Sequence, residues 1–167
     1  MNPDGADAEF VAFVAASQDQ LRRVAYLMCG DWHRAEDVVQ TALAGVYVKW
    51  SRIREVPGPW PYARRAVVNA TVDEGRRPWR REHVGHEPAE VAAPEGPGLD
   101  DGTLRALSAL PARQRAVVVL RYIEDLDVET VAELLGISAG TVKSQAARGL
   151  ATLRERLAST RTPGGVA

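Results

Sequence analysis

Apolar residues along this chain recur at three- and four-residue steps and almost never alternate. From Glu9 to Met28, the positions Phe10, Phe13, Val14, Leu21, Val24, Ala25 and Leu27 or Met28 line one side of an amphipathic helix. Cys29-Gly30-Asp31 ends that pattern, and Asp31 is placed to cap a second helix. There Ala35, Val38, Val39, Ala42, Leu43, Val46, Tyr47 and Trp50 keep the same period. Pro57-Gly58-Pro59 breaks the chain. A third helix is predicted from about Trp60 to Gly75, with Ala63, Ala66, Val67, Ala70 and Val72 on one side. Three such helices make one small domain, residues 1–81.

Between residues 82 and 102 the pattern fails. Pro88, Pro94, Pro97, several glycines and few large apolar residues leave little to bury, so this stretch reads as a flexible acidic linker. Leu104, Leu107 and Leu110 restart the helical period, Pro111 interrupts it, and Val117, Val118, Leu120, Arg121 and Tyr122 continue it. A second helical domain, residues 103–167, follows. The expected fold class is all-α: two small helical domains on either side of the linker, with no strand and no internal repeat.

Composition narrows the class. Hydrophobic residues make up 46% and charged residues 26% of 167, the balance of a soluble folded protein. Cys29 is the sole cysteine, so no intrachain disulfide forms. Asp4, Asp7 and Glu9 stand where a secretory signal would be basic, and no apolar run approaches the roughly 20 residues a bilayer needs. A cytoplasmic protein without membrane insertion is expected. The net charge of −1 hides an alternation in sign. Residues 1–51 carry 7 acids and 4 bases, 52–81 carry 3 acids and 8 arginines, 82–102 carry 6 acids and no Lys or Arg, and 103–167 carry 6 acids and 9 bases. Two basic segments around an acidic one suit a polyanion-binding protein with two contact regions, and equally a solvated surface.

Residues 128–153 decide between those alternatives. VETVAELLGISAGTVKSQAARGLATL matches a helix-turn-helix where geometry forces the residue type. Ala132 is small where two helices cross, Gly136 serves a turn needing positive φ or close approach, and Val142 plugs the crossing. Ser138 is placed to cap the second helix, whose buried stripe is Val142, Ala146, Leu150, Leu153 and Leu157. Gly140, Thr141, Lys143, Ser144, Gln145 and Arg148 remain on the free side or its flanks, which suits a helix entering a major groove.

With these motifs in hand, residues 110–157, LPARQRAVVVLRYIEDLDVETVAELLGISAGTVKSQAARGLATLRERL, resemble region 4 of sigma factors. HRAEDVVQTALAGVYVKW, residues 33–50, resembles their region 2. The order of the two, with an acidic Pro-rich linker between and nothing resembling region 1.1 or region 3, is similar to the extracytoplasmic-function group of the sigma-70 family, of the actinobacterial type. The resemblance implies a transcription-initiation subunit that binds core RNA polymerase and the −10 and −35 promoter elements. It implies no catalytic residue, no cofactor and no metal. It also implies that Glu36, Asp37, Gln40 and Thr41 dock on the β′ clamp helices, and that the second domain meets the β flap. The −35 contacts implied are Ser138, Thr141, Lys143, Ser144, Gln145 and Arg148. Melted −10 strand falls to residues 50–73, above all Trp60, Tyr62, Arg64, Arg65, Asn69 and Asp73, with the loop of about Ser51 to Pro59 as pocket for a flipped base.

Aromatics and cations interleave in that segment: Trp50, Trp60 and Tyr62 stand beside Arg52, Arg54, Arg64 and Arg65. Trp60 reads equally as a packing residue after Pro59. Arg76, Arg77, Arg80 and Arg81 around Trp79 are expected to grip phosphates, and the acidic linker to imitate RNA in the polymerase's RNA path. Two departures from the family pattern bear on base preference. Lys143-Ser144-Gln145 replaces the usual Lys-Ser-Arg, and Trp60-Pro61 stands where Thr-Trp-Leu is common. The chain ends soon after Leu157, so no appended sensor domain is expected. An anti-sigma factor is a family expectation that no residue here identifies. The rival readings are a stand-alone helix-turn-helix regulator, which needs a dimerisation segment not visible here, and a small enzyme built on His33, His83 and His86, which has no nucleophile with an orienting base.

Overall fold

A computed structural model describes residues 3–55, 58–75 and 98–160, all helix and short connections. The chain separates into two compact units, residues 1–94 and 95–167. The basic run Arg76–Arg81 and residues 82–97 of the sequence-read linker lie outside the described residues.

The first unit contains α1 (Pro3–Cys29), α2 (Trp32–Val48), the single turn α3 (Trp50–Ile53) and α4 (Pro59–Gly75). Asp31 caps α2 as its position requires: its Oδ1 accepts from the backbone N–H groups of His33 at 2.8 Å and Arg34 at 3.3 Å. Gly30, at φ +75°, turns the chain between α1 and α2. The helices close on one apolar cluster of Leu21, Ala25, Ala35, Val38, Val39, Ala42, Leu43, Val46, Trp50, Ala63 and Val67. Phe10 and Phe13 of α1 meet the Trp50 ring edge-on and tilted, at centroid distances of 5.3 and 5.5 Å. Trp50 is therefore a core residue, and the expectation that it offers a stacking surface to nucleic acid is corrected. Polar ties fasten α1 to the rest: Tyr47 donates to Asp7 at 3.1 Å and Arg54 to Glu9 at 2.9 Å.

The second unit contains α5 (Asp101–Ser108), α6 (Ala112–Val118), α7 (Val128–Leu135) and α8 (Ala139–Thr160). Asp100 caps α5 through Thr103 N–H at 2.7 Å, so the last residues of the acidic stretch already form a helix start. The sequence pattern gives no sign that α6 runs on into a π-helical turn, Val119–Ile123. Val119 and Leu120 stay in the core while Tyr122 emerges half exposed. The core joins Leu107, Leu110, Val117, Val118, Leu120, Val131, Val142 and Ala146.

Candidate nucleic-acid interface

The turn between α7 and α8 places the second helix. Gly136 ends α7 at φ 64° and ψ 37°. Its N–H bonds Glu133 C=O at 3.3 Å, and Ile137 N–H bonds Ala132 C=O at 3.1 Å, the paired bonds of a left-handed helix terminus. A Cβ at position 136 would meet nothing within 4 Å, so glycine is required there for its backbone conformation and not for close approach. Asp127 starts α7 by accepting Thr130 N–H at 2.7 Å, and that bond holds its carboxyl below the usual carboxylate range. Ser138 starts α8: its Oγ accepts Thr141 N–H at 3.1 Å and lies 2.8 Å from the Thr141 hydroxyl. The Ser138 and Thr141 hydroxyls are thus engaged with each other at the tip of the helix.

Val142 is fully buried, and Ala146, Gly149 and Leu153 continue the buried stripe. Opposite it, Gly140, Ser144, Ala147 and Ala151 are exposed along the centre of the free face. Lys143 and Arg154 follow one edge and Arg148 the other, all exposed. Small residues in the middle and cations at the margins let a backbone groove come close while phosphates meet charge. Gln145 is half buried on the side of Gly149, turned further from that face than its neighbours.

On α4 the structure divides the sequence-predicted residues between two sides. Helical residues advance by roughly 100° each, since 3.6 make a turn. Arg65, Asn69 and Asp73 stand one turn apart in an exposed row with Pro61, and Tyr62 borders that row. The Lys49 ammonium lies 5.2 Å from the Tyr62 ring centroid. Trp60 and Arg64 lie on the other side, in line with buried Ala63, Val67 and Thr71. Trp60 packs against the core, and Arg64 Nε is buried with no hydrogen-bond partner among the described residues. Of the flipped-base loop, residues 56 and 57 lie outside the described residues.

On α2, Asp37, Gln40 and Thr41 are exposed, and the row continues through Ala44 to Val48. Glu36 is tied inward. Arg22 of α1 donates from Nη2 to Glu36 Oε1 at 2.8 Å and sets Nε 2.6 Å from Oε2, while Gln40 Nε2 donates to Oε1 at 3.1 Å. The Arg22 hydrogen bond holds the Glu36 carboxyl below its ordinary range. Arg22 was not among the sequence-read site residues, because a partner fourteen residues away on another helix leaves no periodic trace. Among the described residues no helix is long and apolar enough to cross a membrane, and no group of three His, Cys, Asp or Glu side chains gathers.

Residues 13–81 match Sigma-70 region 2 and residues 102–153 match Sigma-70, region 4. The chain is 38% identical over 162 residues to the RNA polymerase sigma-E factor of Streptomyces coelicolor, covering 92% of this chain and 88% of that one. It is 30% identical over 175 residues to the ECF RNA polymerase sigma factor SigW of Bacillus subtilis, covering 92% and 91%. Its fold is shared with the sigma factor RpoE of Bartonella quintana, solved with the anti-sigma factor NepR, at a TM-score of 0.71 and 24% identity over 91% of this chain and 98% of that one. The chain belongs to the extracytoplasmic-function group of RNA polymerase sigma factors, the family of promoter-specific transcription initiation.

Proposed function

We propose that this chain seats on core RNA polymerase in the cytoplasm, reads the −35 duplex with α8 and holds melted −10 strand with α4, performing no catalysis itself. Residues 1–81 form the polymerase-binding and −10 module, 82–102 the tether, and 103–167 the −35 module. The exposed face of α8 carries this reading, with its small central residues and cations on both edges. Lys143, Ser144 and Arg148 reach the groove, Gln145 touches it from the side, and Ser138 and Thr141 act by fixing where the helix begins. On α4, Tyr62, Arg65, Asn69 and Asp73 meet the single strand, with Trp60 and Arg64 as their support. On α2, Asp37, Gln40 and Thr41 face the β′ clamp helices, with Glu36 holding the helix in place, and the second module meets the β flap. Two modest modules on one tether gain specificity through effective concentration, so the free chain binds promoter DNA weakly. The structurally similar RpoE was solved with an anti-sigma factor, and a partner of that kind would hold this chain inactive.

Titrating the labelled chain with purified core polymerase tests the seat on α2. Asp37→Arg, at an exposed position, should weaken association by about tenfold or more through charge reversal at the contact. Unchanged association would remove α2 from the interface.

A further inference from the structure

Helix α3 is one turn of four residues, too short to hold its own shape, and Lys49 before it offers no side-chain cap. Its place comes from what it packs on, and α1 supplies that at both ends. At the start, Trp50 is buried against Phe10 and Phe13, whose ring centroids lie 5.3 and 5.5 Å from its own. At the finish, Arg54 closes the turn with its N–H on Trp50 C=O at 3.0 Å, and its Nη1 donates to Glu9 Oε2 at 2.9 Å. Glu9, Phe10 and Phe13 follow the three- and four-residue steps of one helix side, so a single stripe of α1 fastens the whole turn. Lys49, at the junction of α2 and α3, sets its ammonium 5.2 Å from the ring centroid of Tyr62, which borders the exposed row of Arg65 and Asn69 on α4. The short turn thus links α1 to the exposed row of α4.

We propose that Glu9 and Arg54 are positioning residues for base discrimination in the melted −10 strand: their ion pair fixes α3, and through Lys49 and Tyr62 the exposed row of α4, in the arrangement that tells one base from another. The proposal rests on the reading of α4 as the face that holds the −10 strand, and it adds a helix, α1, that touches no DNA in that reading. Three features favour it. The pair joins residues 45 positions apart, so it fixes tertiary placement and not a local turn. Arg54 is the better covered partner, its side chain 30% exposed against 58% for Glu9, which suits a guanidinium drawn onto α1 and not one held out to a phosphate. Pairs this exposed add little to global stability, so the effect of this one falls on where α3 sits. A site that selects one base has to be held within about 0.5 Å of its working geometry, which an unfastened single turn cannot do.

The test is open-complex formation by holoenzyme assembled from core polymerase and the full-length chain. It is read as heparin-resistant complex on a genomic promoter recovered by run-off transcription and on variants of that promoter with each −10 base replaced in turn. The ratio between promoter and variant does not depend on the fraction of folded chain, so a loss of stability alone leaves it unmoved. Glu9→Arg and Arg54→Glu should each lower that ratio by about two- to fivefold, the fold-change an exposed ion pair supplies, and the two substitutions together should restore it. Asp4→Arg makes the same charge reversal at an exposed position of α1 outside the pair and should leave the ratio at the wild-type value. An unchanged ratio for Glu9→Arg would overturn the proposal, and a ratio lowered by Arg54→Glu alone would make Arg54 a nucleic-acid contact instead. A double variant no better than the single ones would overturn it as well, as would an equal loss in Asp4→Arg. If wild-type holoenzyme opens every −10 variant equally, the reading of α4 itself falls; if the wild type discriminates and the pair fails, only the pair does.

Discussion

Gly149 on α8 lies so close to Val118 on α6 that a Cβ at position 149 would come within 2.6 Å of Val118 Cγ2. Val118 is buried and β-branched, so its methyl groups have little freedom to withdraw. The recognition helix is thus held against the rest of its unit by the absence of a side chain. Gly149→Ala should cost about 1 kcal/mol net, an overpacking cost of about 1–3 kcal/mol offset by the helix preference of alanine over glycine, about 1 kcal/mol. In a Val118→Ala background the clash disappears, and the same substitution should turn neutral or stabilising. Thermal unfolding of the four chains of this double-mutant cycle measures the coupling, and additive effects would contradict the contact.

The Arg22–Glu36 pair makes a prediction with a defined pH dependence. The folded-state pKa of Glu36 is lowered, so its contribution to stability is present above the ordinary carboxylate pKa and is lost as pH falls through the folded value. Both side chains are about one-third exposed, at 31% and 35%, which limits the contribution to about 0.5–1 kcal/mol. Denaturant unfolding should show Glu36→Gln less stable than wild type at neutral pH, with the gap closing as the solution is acidified below the carboxylate range. A gap that is constant with pH would mean that the pair contributes packing and not charge.

The two sides of α4 should separate in their response to mutation. Trp60→Ala removes a half-buried ring from the core edge and should cost about 1–3 kcal/mol of stability, less than a fully buried tryptophan would. Asn69→Ala and Asp73→Ala, on the exposed row, should stay within about 0.5 kcal/mol of wild type while lowering promoter opening several-fold. Thermal unfolding beside potassium permanganate footprinting of the melted strand measures both. Loss of opening by Trp60→Ala at full stability would move that ring to the nucleic acid.

Helix periodicity and capping chemistry made most of the architecture legible: Asp31 caps α2, Ser138 begins α8, Gly136 takes positive φ and Val142 is buried, each as its residue type and position imply. What the sequence hid depends on contacts between helices. Gly149 looks like an ordinary helix position until Val118 is placed against it. The π-helical turn adds a residue without changing the apolar spacing that precedes it, so Arg121 and Tyr122 read as a plain continuation of α6. On α4, charge and aromatic content counted Trp60 and Arg64 together with Arg65 and Asn69, although helical geometry sets them on different sides. Trp50 belonged to both the core period of α2 and the aromatic cluster, and burial against Phe10 and Phe13 decided for the core.

Run-off transcription with purified core polymerase from mixed genomic promoters, with and without the full-length chain, tests the central claim most directly. The account predicts discrete transcripts that appear only when the chain is added and that weaken when Lys143 or Asp37 is substituted. An identical transcript pattern with and without the chain, or tight binding to the same DNA in the absence of polymerase, would contradict it.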